Sequence, residues 1–580
     1  MANLSKKQQQ IVDAPLEAMA VVACAGSGKT KTAVSRLAKI RKEQDQSRSH
    51  VALLSFSNVA VDTFKQSYTE STFHDSGGLA SSRLTIDTFD GFITSHILRP
   101  HAHRSMRCSR VPFLLSGTEP FLNSDKYKYW YSPTPGNNRP VVGTSIDKIC
   151  VGLAGNEFEF SYRQNNTLHL TNNGMKVTKA LGKIGAYTHE LGKFWVLYTL
   201  LDQPEILRVL VKRYPFIIVD EAQDIGQLHQ SILELLIQAG AKVSLIGDPN
   251  QAIYEFAGAT GEFINLHNLV PTNLSFSLDT NYRSIPPILN VANSLAGRND
   301  VANRSQVKDV YGAYYSVYDP KNQRKLVDVF VNTVRSTGLS VNNSAVLYRG
   351  NSGIDKLQNV PKNLGSGIVK LLAQASLERD ANNNYQKSFQ LAVRAIVGLL
   401  KNTPDNLLIM LGNADSYPEI KSLRKDIWMF VRSNKDGLPA SSLKATSEWH
   451  AQLKPRVIKL LKKVEQDYGY SQVENIGNKL AKTKLLDMPL LPSQGLNSNQ
   501  YLPIRVDTIH QAKGESLDAV LYMAQKPHIE AMLNGVDTEV GRIGYVAVTR
   551  AKDLFVLGVP KSIVKDFAPK LESLGFKEWV

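Results

Sequence analysis

The sequence predicts an α/β protein with two lobes built on parallel sheets, each lobe carrying an inserted subdomain of mixed or mainly helical structure. Three observations lead to this prediction. A chain of 580 residues exceeds one ordinary hydrophobic core and suggests about three to four domains. Short apolar strands alternate with helical stretches towards both ends of the chain, which is typical of parallel sheets covered on both faces. Two long internal stretches break that alternation.

The first lobe is predicted over residues 1–98 and 200–283, with an insertion at 99–199. Its expected buried strands are MAVVA before Cys24, VALLSF, FIIVD and KVSLIGD. Helices are expected after Lys29 and in SNVAVDTFKQSY and HQSILELLIQA. Within the insertion, EFEFSYRQNNTLHLTNNG predicts a β-hairpin around Asn165 and Asn166, and a helical stretch follows it.

The second lobe is predicted over residues 284–370 and 500–580, with a mainly helical insertion at 371–499. SAVLYR, IRVDTIH, AVLYMA and LFVLGV are its expected strands. In the insertion, SFQLAVRAIVGLL has the periodicity of a helix with one apolar face. A longer helical stretch follows it, and we expect an interruption at Pro455 because proline cannot donate the helical hydrogen bond.

Composition excludes several classes of protein. Apolar residues make up 43% and charged residues 21%, and no run approaches the roughly 18 apolar residues of a membrane helix. The start, MANLSKKQQQ, has no apolar signal core. Cys24, Cys108 and Cys150 are widely spaced, as in reduced cytoplasmic proteins. His101 and His103 lack a third ligand nearby, so we expect no structural metal and no membrane.

The charge balance favours a polyanionic partner. The chain has 68 Lys and Arg against 52 Asp and Glu, a formal net charge of +16. A basic field attracts nucleic acid, although charge alone does not specify it.

The segment AVVACAGSGKTKTAV joins an apolar strand to a helix through a glycine-rich turn. Gly26 and Gly28 allow the backbone amides to face phosphate groups, and the start of the helix adds partial positive charge. Lys29 is placed to reach the β- and γ-phosphates of a nucleotide, and the Thr30 hydroxyl to bind Mg²⁺. The pattern therefore predicts a site for ATP and Mg²⁺.

Catalytic groups are predicted at three other places. FIIVDEAQD brings Asp220 and Glu221 to the carboxyl end of a strand, where Asp220 can hold Mg²⁺ and Glu221 can act as general base. The phosphoryl transition state also needs cations, and Arg283 and Arg550 are candidates from two separate segments. This arrangement predicts a site closed between two lobes.

Ten segments, in order, resemble the UvrD/Rep/PcrA helicases of superfamily 1. They are LSKKQ, ACAGSGKT, FSNVA, DTFDGF, DEAQD, GDPNQAIYEFAGA, LDTNYRS, LYRGNS, TIHQAKGE and YVAVTRA. The resemblance implies two RecA-like P-loop lobes that hydrolyse ATP and translocate 3′→5′ on single-stranded DNA. It implies that Gln8 reads adenine, Tyr282 stacks on it, Gln251 senses the γ-phosphate, and Arg283 and Arg550 are arginine fingers. The remaining nucleotide-binding positions that it implies are Ala25, Gly26, Ser27, Gly28, Lys29, Thr30, Lys31 and Glu515.

The same resemblance implies a track for single-stranded DNA across the two lobes. Its matching positions are Phe56, Asn58, Thr88, Phe89, Tyr254, Phe256 and His510. Several positions depart from the family pattern: Val59 replaces a lysine, Asp90 a histidine, and Phe256 and Ala257 a tryptophan and an arginine. Each change removes a cation, a hydrogen-bond donor or stacking area. Glu515 is offset by one position from the family's glutamate.

The stretch FDGFITSHILRPH is similar to the corresponding part of GajB-like helicases of the Gabija antiphage system. That narrower resemblance implies a partner nuclease and a role in antiphage defence.

Two further patterns have alternative interpretations. KYKYWY, at 126–131, suits either a stacking patch for nucleic acid or the small core of the first insertion. A basic helical stretch suits either a solvated face or a surface that contacts duplex DNA. It comprises Lys454, Arg456, Lys459, Lys462 and Lys463.

Three functions are consistent with the sequence. The leading hypothesis is a DNA-dependent ATPase, a translocase or helicase that moves along DNA and unwinds it, in repair or in defence. A second is an ATP-gated regulatory subunit of a nuclease that does not unwind DNA. A third, a non-catalytic DNA-binding scaffold, is disfavoured because Lys29, Glu221 and Arg550 are all present.

Overall fold

The computed structural model describes residues 4–72, 83–117, 119–155, 157–164, 167–255, 258–358, 364–412, 417–490 and 502–579. Asn165, Asn166, Phe256 and Ala257 lie outside these ranges. The chain divides into two units: unit 1 comprises 1–97, 196–359 and 501–580, and unit 2 comprises 98–195 and 360–500. Unit 1 contains most of both predicted sheet-bearing lobes, and unit 2 contains most of both predicted insertions together with residues 98, 360–370 and 500 of the predicted lobes.

The strands of the described residues follow in chain order. They are β1 Met19–Ala23, β2 Val51–Ser55, β3 Leu84–Thr88, β4 Phe113–Leu114, β5 Trp130–Tyr131, β6 Arg139–Pro140, β7 Ile149–Ala154, β8 Glu157–Gln164, β9 Thr167–Leu170, β10 Ala186–Tyr187, β11 Phe216–Asp220, β12 Lys242–Gly247, β13 Leu274–Leu278, β14 Thr280–Asn281, β15 Val301–Ala302, β16 Gly312–Tyr318, β17 Ala345–Tyr348, β18 Arg505–Thr508, β19 Leu517–Met523, β20 Ala551–Pro560 and β21 Lys577–Glu578.

The α-helices of the same ranges are α1 Lys6–Asp13, α2 Lys29–Glu43, α3 Asn58–Thr72, α4 Phe89–Ile93, α5 Arg99–Met106, α6 Gly174–Lys183, α7 His189–Asp202, α8 Pro204–Arg213, α9 Gln227–Gln238, α10 Glu262–Asn268, α11 Pro286–Ala296, α12 Gln323–Ser336, α13 Asn351–Gln358, α14 Gly367–Asp380, α15 Tyr385–Val397, α16 Leu407–Gly412, α17 Lys421–Arg432, α18 His450–Tyr468, α19 Ile476–Lys479, α20 Lys526–Leu533, α21 Glu539–Arg550 and α22 Val564–Ser573. None of the helices within the described ranges is both long and apolar enough to cross a membrane.

The first lobe of unit 1 is a parallel sheet of six strands in the order β13-β1-β12-β11-β2-β3. Its central strands are apolar throughout because helices cover both faces. Val21, Leu53, Ile218 and Ile246 are fully buried in one core cluster. The carboxyl ends of β1, β11 and β12 meet at one edge, where the candidate site lies.

The second lobe of unit 1 is another parallel sheet of six strands, in the order β18-β17-β19-β20-β16-β21. Leu347, Val520 and Phe555 are fully buried in its core. Helix α21 ends at Arg550 and leads directly into β20, so a long buried strand fixes the position of that arginine. The two sheets confirm the predicted α/β class with two parallel-sheet lobes.

Unit 2 contains the predicted hairpin. β8 pairs with β9 in antiparallel register, from Ser161 opposite Leu170 to Gln164 opposite Thr167. The KYKYWY segment packs into this part of the unit: Tyr129 is fully buried and its hydroxyl lies 2.8 Å from the Thr178 hydroxyl. The packing interpretation therefore holds for Tyr129.

The helical part of unit 2 corrects one prediction. Helix α18 is not interrupted at Pro455 but runs unbroken from His450 to Tyr468. Leu453, Val457 and Leu461 lie on one face of α18 and are fully buried in the core of unit 2. Their burial compensates for the hydrogen bond that Pro455 cannot donate.

We predict that Gly182→Ala destabilises the protein. A methyl group on Gly182 would overlap the ring of Trp195, which is only 1% exposed, and overpacking of this kind costs about 1–3 kcal/mol. The free energy of unfolding in urea, followed by circular dichroism, measures the change. Gly477→Ala is the matched control because a methyl group there meets no atom within 4 Å. Equal stability of the two variants would contradict the prediction.

Candidate nucleotide site and strand-facing surface

A cavity of about 430 Å³ opens at the carboxyl edge of the first sheet and is lined by both lobes of unit 1. Ten predicted residues line it: Gly26, Ser27, Gly28, Lys29, Thr30, Glu221, Gln251, Tyr282, Arg283 and Arg550. Four unpredicted residues also line it: Arg304, Gly514, Ser516 and Lys552. The structure thus brings together segments that are more than 500 residues apart in sequence.

The glycine-rich turn after β1 requires its glycines. Gly26 and Gly28 have φ values of +69° and +80°, in the left-handed region. A Cβ on Gly26 would lie 2.6 Å from the Arg283 Cβ, and one on Gly28 would lie 2.6 Å from the Gln8 amide nitrogen. Helix α2 begins at Lys29, so its free amides point towards the cavity.

Helix α1 holds Gln8 against this turn. Ser5 and Gln8 form a capping box, in which the Gln8 Oε1 accepts a 2.9 Å hydrogen bond from the Ser5 amide. The Gln8 Nε2 donates a 3.0 Å hydrogen bond to the Ser27 carbonyl. These backbone partners fix which end of the buried amide is the donor.

Asp220 and Glu221 lie at the end of β11, as predicted. Burial raises the pKa of Asp220, and the charge of Glu221 raises it further. Burial alone would also raise the pKa of Glu221, but Lys29 and Lys513 outweigh it and lower that pKa. The Asp220 Oδ1 is buried and has no hydrogen-bond partner among the described residues. An unpartnered carboxylate oxygen of this kind fits a divalent cation.

Gln251 is held between the two lobes. Its Nε2 donates a 2.8 Å hydrogen bond to the Asp248 carboxylate, and its Oε1 accepts one of 2.8 Å from the Arg550 guanidinium. Arg550 is 1% exposed, and Arg283 donates to the Thr549 carbonyl at 2.8 Å. Both predicted arginine fingers therefore lie at the cavity, and one of them contacts the predicted γ-phosphate sensor directly.

Sequence reasoning missed Asn281, which joins the LDTNYRS segment to the glycine-rich turn. Its Nδ2 donates to the Ala25 carbonyl at 2.8 Å, and its Oδ1 accepts from the Arg283 amide at 2.8 Å. The Tyr282 amide donates to the Gly26 carbonyl at 2.9 Å, which sets the half-exposed ring at the cavity mouth. In the sequence, the available signal for this role was the position of Asn281 directly before the predicted Tyr282.

The structure does not bring every predicted nucleotide-binding residue to the cavity. Both Glu515 carboxylate oxygens accept hydrogen bonds from Arg505, at 2.6 and 3.0 Å, and Ser516 lines the cavity instead. The reason is the one-residue offset, which turns Glu515 towards the cation on β18. Ala25 is buried within the turn and Lys31 lies half-buried on α2, and neither lines the cavity.

A second predicted surface surrounds Phe56. Its ring stacks on Phe89, with centroids 5.8 Å apart and an interplanar angle of 6°. His229 packs edge-on against both rings and hydrogen-bonds Asp90 at 2.9 Å. Phe89 is only 1% exposed, so it supports Phe56 and cannot itself present a face to a base. This burial corrects the prediction for Phe89.

The other predicted strand-contacting residues have mixed positions. Asn58 is exposed, whereas Thr88 is half-buried and its hydroxyl caps α4 by accepting from the Gly91 amide at 2.9 Å. Tyr254 is half-buried, with its ring centroid 5.7 Å from that of His510. The prediction for Phe256 falls on a residue outside the described ranges.

Lys513 links the two predicted surfaces. Its Nζ lies 2.6 and 2.7 Å from the Asp224 carboxylate oxygens and 2.8 Å from the Gln251 carbonyl. It also lies 4.7 Å from the centre of the Tyr254 ring. Both members of the ion pair are nearly buried, at 7% and 5% exposure of their side chains. This cation of the second lobe thus contacts the first lobe between the nucleotide cavity and Tyr254.

Comparison with known proteins shows similarity to helicases. The family model that describes the UvrD/REP helicase N-terminal domain matches residues 4–130 and 153–269. DNA helicase II of Salmonella typhimurium is 24% identical, over 96% of this chain and 84% of its own length. DNA helicase II of Escherichia coli is 23% identical over the same shares, and ATP-dependent DNA helicase Rep of Escherichia coli is 24% identical over 60% and 52%. These matches support the UvrD/Rep/PcrA-type helicase family for this chain.

We predict that Lys513→Met destabilises unit 1, because it leaves the Asp224 carboxylate buried without its cation. The removal of one partner of a buried pair costs about 3–5 kcal/mol. Urea denaturation of Lys513→Met, of Asp224→Asn and of the double variant Lys513→Met/Asp224→Asn measures this loss of stability. The double variant should recover most of the stability that Lys513→Met loses. Lys7→Met is the control, because its pair with Asp279 is 49% and 42% exposed and worth less than about 1 kcal/mol. A double variant as unstable as Lys513→Met would contradict this account.

Proposed function

We infer that this chain is an ATP-dependent DNA helicase-type motor, similar to the UvrD/Rep/PcrA helicases, that hydrolyses ATP between its two lobes. The observation that carries this inference is the cavity that joins Lys29 and Glu221 of one lobe to Arg550 of the other. Hydrolysis of a phosphoanhydride needs phosphate binding, an oriented water and cations for the developing charge. The cavity supplies all three.

Each residue then has a distinct task. The amides of the glycine-rich turn and Lys29 bind the phosphates. Glu221 is kept ionised by its cationic neighbours and orients the attacking water. Mg²⁺, held by Thr30 and Asp220, would neutralise charge on the β- and γ-phosphates. Arg283 and Arg550 meet the charge that grows on the γ-phosphoryl oxygens.

Gln8 favours adenine over guanine. Each of its amide atoms uses one hydrogen-bonding position on the backbone of Ser5 or Ser27, which leaves one donor and one acceptor. Adenine offers the complementary pair, the N6 amino group and N7, whereas guanine offers two acceptors, O6 and N7. We therefore propose ATP as the preferred nucleotide, with the base between Gln8 and Tyr282.

DNA is the proposed track, and the direction of movement is proposed as 3′→5′. The similar proteins are named DNA helicases, and Phe56 and Tyr254 offer aromatic faces on which bases can stack. His510 connects the two sites, because its Nε2 lies 3.1 Å from the Ile253 carbonyl, in the segment that follows Gln251. Asn58 and Thr88 remain proposed contacts.

Charge is concentrated in unit 2. Its residue ranges contain 33 Lys and Arg against 18 Asp and Glu, a formal +15, whereas unit 1 has 35 against 34, a formal +1. Long-range attraction of a phosphate backbone thus arises in the inserted segments. In the basic stretch on α18, Arg456 and Lys463 are held by neighbouring protein groups, while Lys454, Lys459 and Lys462 are exposed.

We propose further that the protein works in the cytoplasm, in DNA repair or in antiphage defence as a GajB-like helicase with a partner nuclease. The sequence similarity of FDGFITSHILRPH supports the second role. A second function, an ATP-gated regulator of that nuclease that does not unwind DNA, is favoured by the surface around Phe56. There the exposed Asp90 carboxylate repels phosphate, and Phe89 is covered.

ATPase rates with single-stranded, duplex and 3′-tailed DNA, and with RNA, test the proposal. A motor requires stimulation by single-stranded DNA. No stimulation by any nucleic acid would overturn the inference. Stimulation without strand displacement on a 3′-tailed duplex, with a partner nuclease present, would favour the regulator.

We expect Lys29→Ala and Glu221→Gln to abolish ATP turnover while circular dichroism shows that the fold is intact. Lys29→Ala removes a phosphate ligand, and Glu221→Gln removes the base but retains the shape of the side chain. Steady-state phosphate release measures both. Glu43→Gln, an exposed change on α2, is the control. Retained hydrolysis in pure Glu221→Gln protein would refute the assignment of the general base.

We expect the salt dependence of DNA binding to originate in unit 2. Neutralising Lys454, Lys459 and Lys462 to Gln should reduce the slope of log K against log salt by about 0.7–0.9 for each phosphate that these lysines neutralise. The control neutralises three exposed lysines of unit 1, namely Lys321, Lys561 and Lys565. Fluorescence anisotropy with labelled single-stranded and duplex DNA measures both slopes. Equal slopes for the two triple variants would contradict the assignment.

A further inference from the structure

Helix α1, which carries Gln8, is attached to the phosphate-binding segment at both of its ends. At the N-terminal end, Gln8 bonds the Ser27 carbonyl of the glycine-rich turn at 3.0 Å. At the C-terminal end, Arg36 projects from α2 about two turns after Lys29 and bonds α1, beside Ile11 and Ala14, which pack in one core cluster with residues of α2. Both attachments reach α1 from the turn and helix that hold the phosphates.

Arg36 binds the carbonyls at the end of α1. Its Nη1 donates to the Val12 carbonyl at 2.9 Å and also to the Ala14 carbonyl, and its Nη2 donates to the Pro15 carbonyl at 2.6 Å. The last carbonyls of a helix have no partner within the helix, and a cation is favoured at that end of its dipole. Arg36 therefore caps α1 through tertiary contacts.

Burial of the Arg36 guanidinium costs free energy. Arg36 is 1% exposed, and no ion pair joins it to a carboxylate in the part of the chain that the structure describes. Desolvation lowers the pKa of its guanidinium, which shows that burial disfavours the charge. An apolar side chain could fill the space without that cost, but it could not bond these three carbonyls, which the planar guanidinium reaches from two separate nitrogens. The charge thus serves the orientation of α1.

We propose that Arg36 is a positioning residue for the base-recognising amide of Gln8, and so for the preference of the nucleotide site for adenine. The proposal rests on the proposed nucleotide function of the cavity. Arg36 does not line that cavity and acts only through α1. Without the hydrogen bonds of Arg36, α1 can move, and the Gln8 donor and acceptor then no longer match adenine. The phosphate ligands belong to a different segment and remain in place.

The test is nucleotide selectivity. We measure kcat and KM for ATP and for GTP with the full chain, and the ratio of the two kcat/KM values gives the preference for adenine. Arg36→Lys keeps the charge but replaces two bonding nitrogens by one ammonium on a shorter side chain, which weakens these hydrogen bonds. The ratio should therefore fall about tenfold or more, the discrimination that one bidentate base contact provides. The KM for ATP should rise while kcat at saturation stays within about twofold. Lys39→Gln, a change at a half-buried position on the same helix, should alter neither.

A double-mutant cycle separates positioning from general stability. If Arg36 acts through Gln8, then Gln8→Ala/Arg36→Lys should have the same ratio as Gln8→Ala alone. An unchanged ratio in Arg36→Lys, or effects that multiply in the double variant, would overturn the proposal. If Arg36→Lys does not fold, Lys7→Ala removes the exposed ion pair of α1 with Asp279 and should lower the ratio by a smaller factor. An unchanged ratio there would equally overturn it.

The proposed nucleotide function of the cavity can be tested separately from the role of Arg36. Equilibrium binding of ATP and GTP to Glu221→Gln protein and to Glu221→Gln/Arg36→Lys protein needs neither turnover nor DNA. If Glu221→Gln protein binds neither nucleotide, the proposed function itself is wrong. If it prefers ATP and the double variant keeps the whole preference, only the role of Arg36 is wrong.

Discussion

The constraint on which the structure depends is the pairing of buried charges across the two lobes of unit 1. Burial of a carboxylate is costly unless a cation accompanies it. The first lobe buries Asp220 and Asp224 on either side of the half-buried Glu221, and the second lobe supplies Lys513, which pairs with Asp224, and Arg550, which bonds the Gln251 amide. The lobes are therefore complementary in charge at one place, and this place is the nucleotide cavity. Phosphate groups that entered the cavity would compete with Gln251 for Arg550, the second-lobe arginine that lines it.

That competition gives the strand-facing surface a physical connection to the nucleotide. Lys513 touches the Asp224 carboxylate, the Gln251 carbonyl and the Tyr254 ring with one ammonium group. Only two residues separate Gln251 from Tyr254, so a phosphate bound at Gln251 would act close to the segment that carries Tyr254. Coupling of this kind needs no long pathway, because Lys513 contacts residues of both surfaces directly.

Much of the fold could be predicted because it depends on local patterns. Strands such as FIIVD are apolar on both faces, which predicts a buried parallel sheet. The spacing of the two glycines in the glycine-rich turn is specific to a phosphate-binding turn. The partners of charged residues could not be predicted in this way. Arg505 lies ten residues before Glu515 and binds its carboxylate away from the cavity. Asp90 hydrogen-bonds His229, which lies 139 residues later in the sequence. Each depends on which strands become neighbours. Pro455 is the opposite case. Proline is expected to interrupt a helix, but burial of one face of α18 outweighed that local effect.

The two units also differ in how they can hold DNA. Unit 1 is nearly neutral and offers aromatic faces beside its nucleotide site, whereas unit 2 contains almost all of the net positive charge. Electrostatic attraction to phosphates is insensitive to sequence and persists as a protein slides. Stacking on Phe56 and Tyr254 is local and lies beside elements that nucleotide binding can move. A motor needs both kinds of interaction, because one must persist while the other is released and remade in each cycle. The separation of charge from stacking in this chain meets that requirement, and the altered residues around Phe56 lie in unit 1, away from the basic segments in the sequence of unit 2.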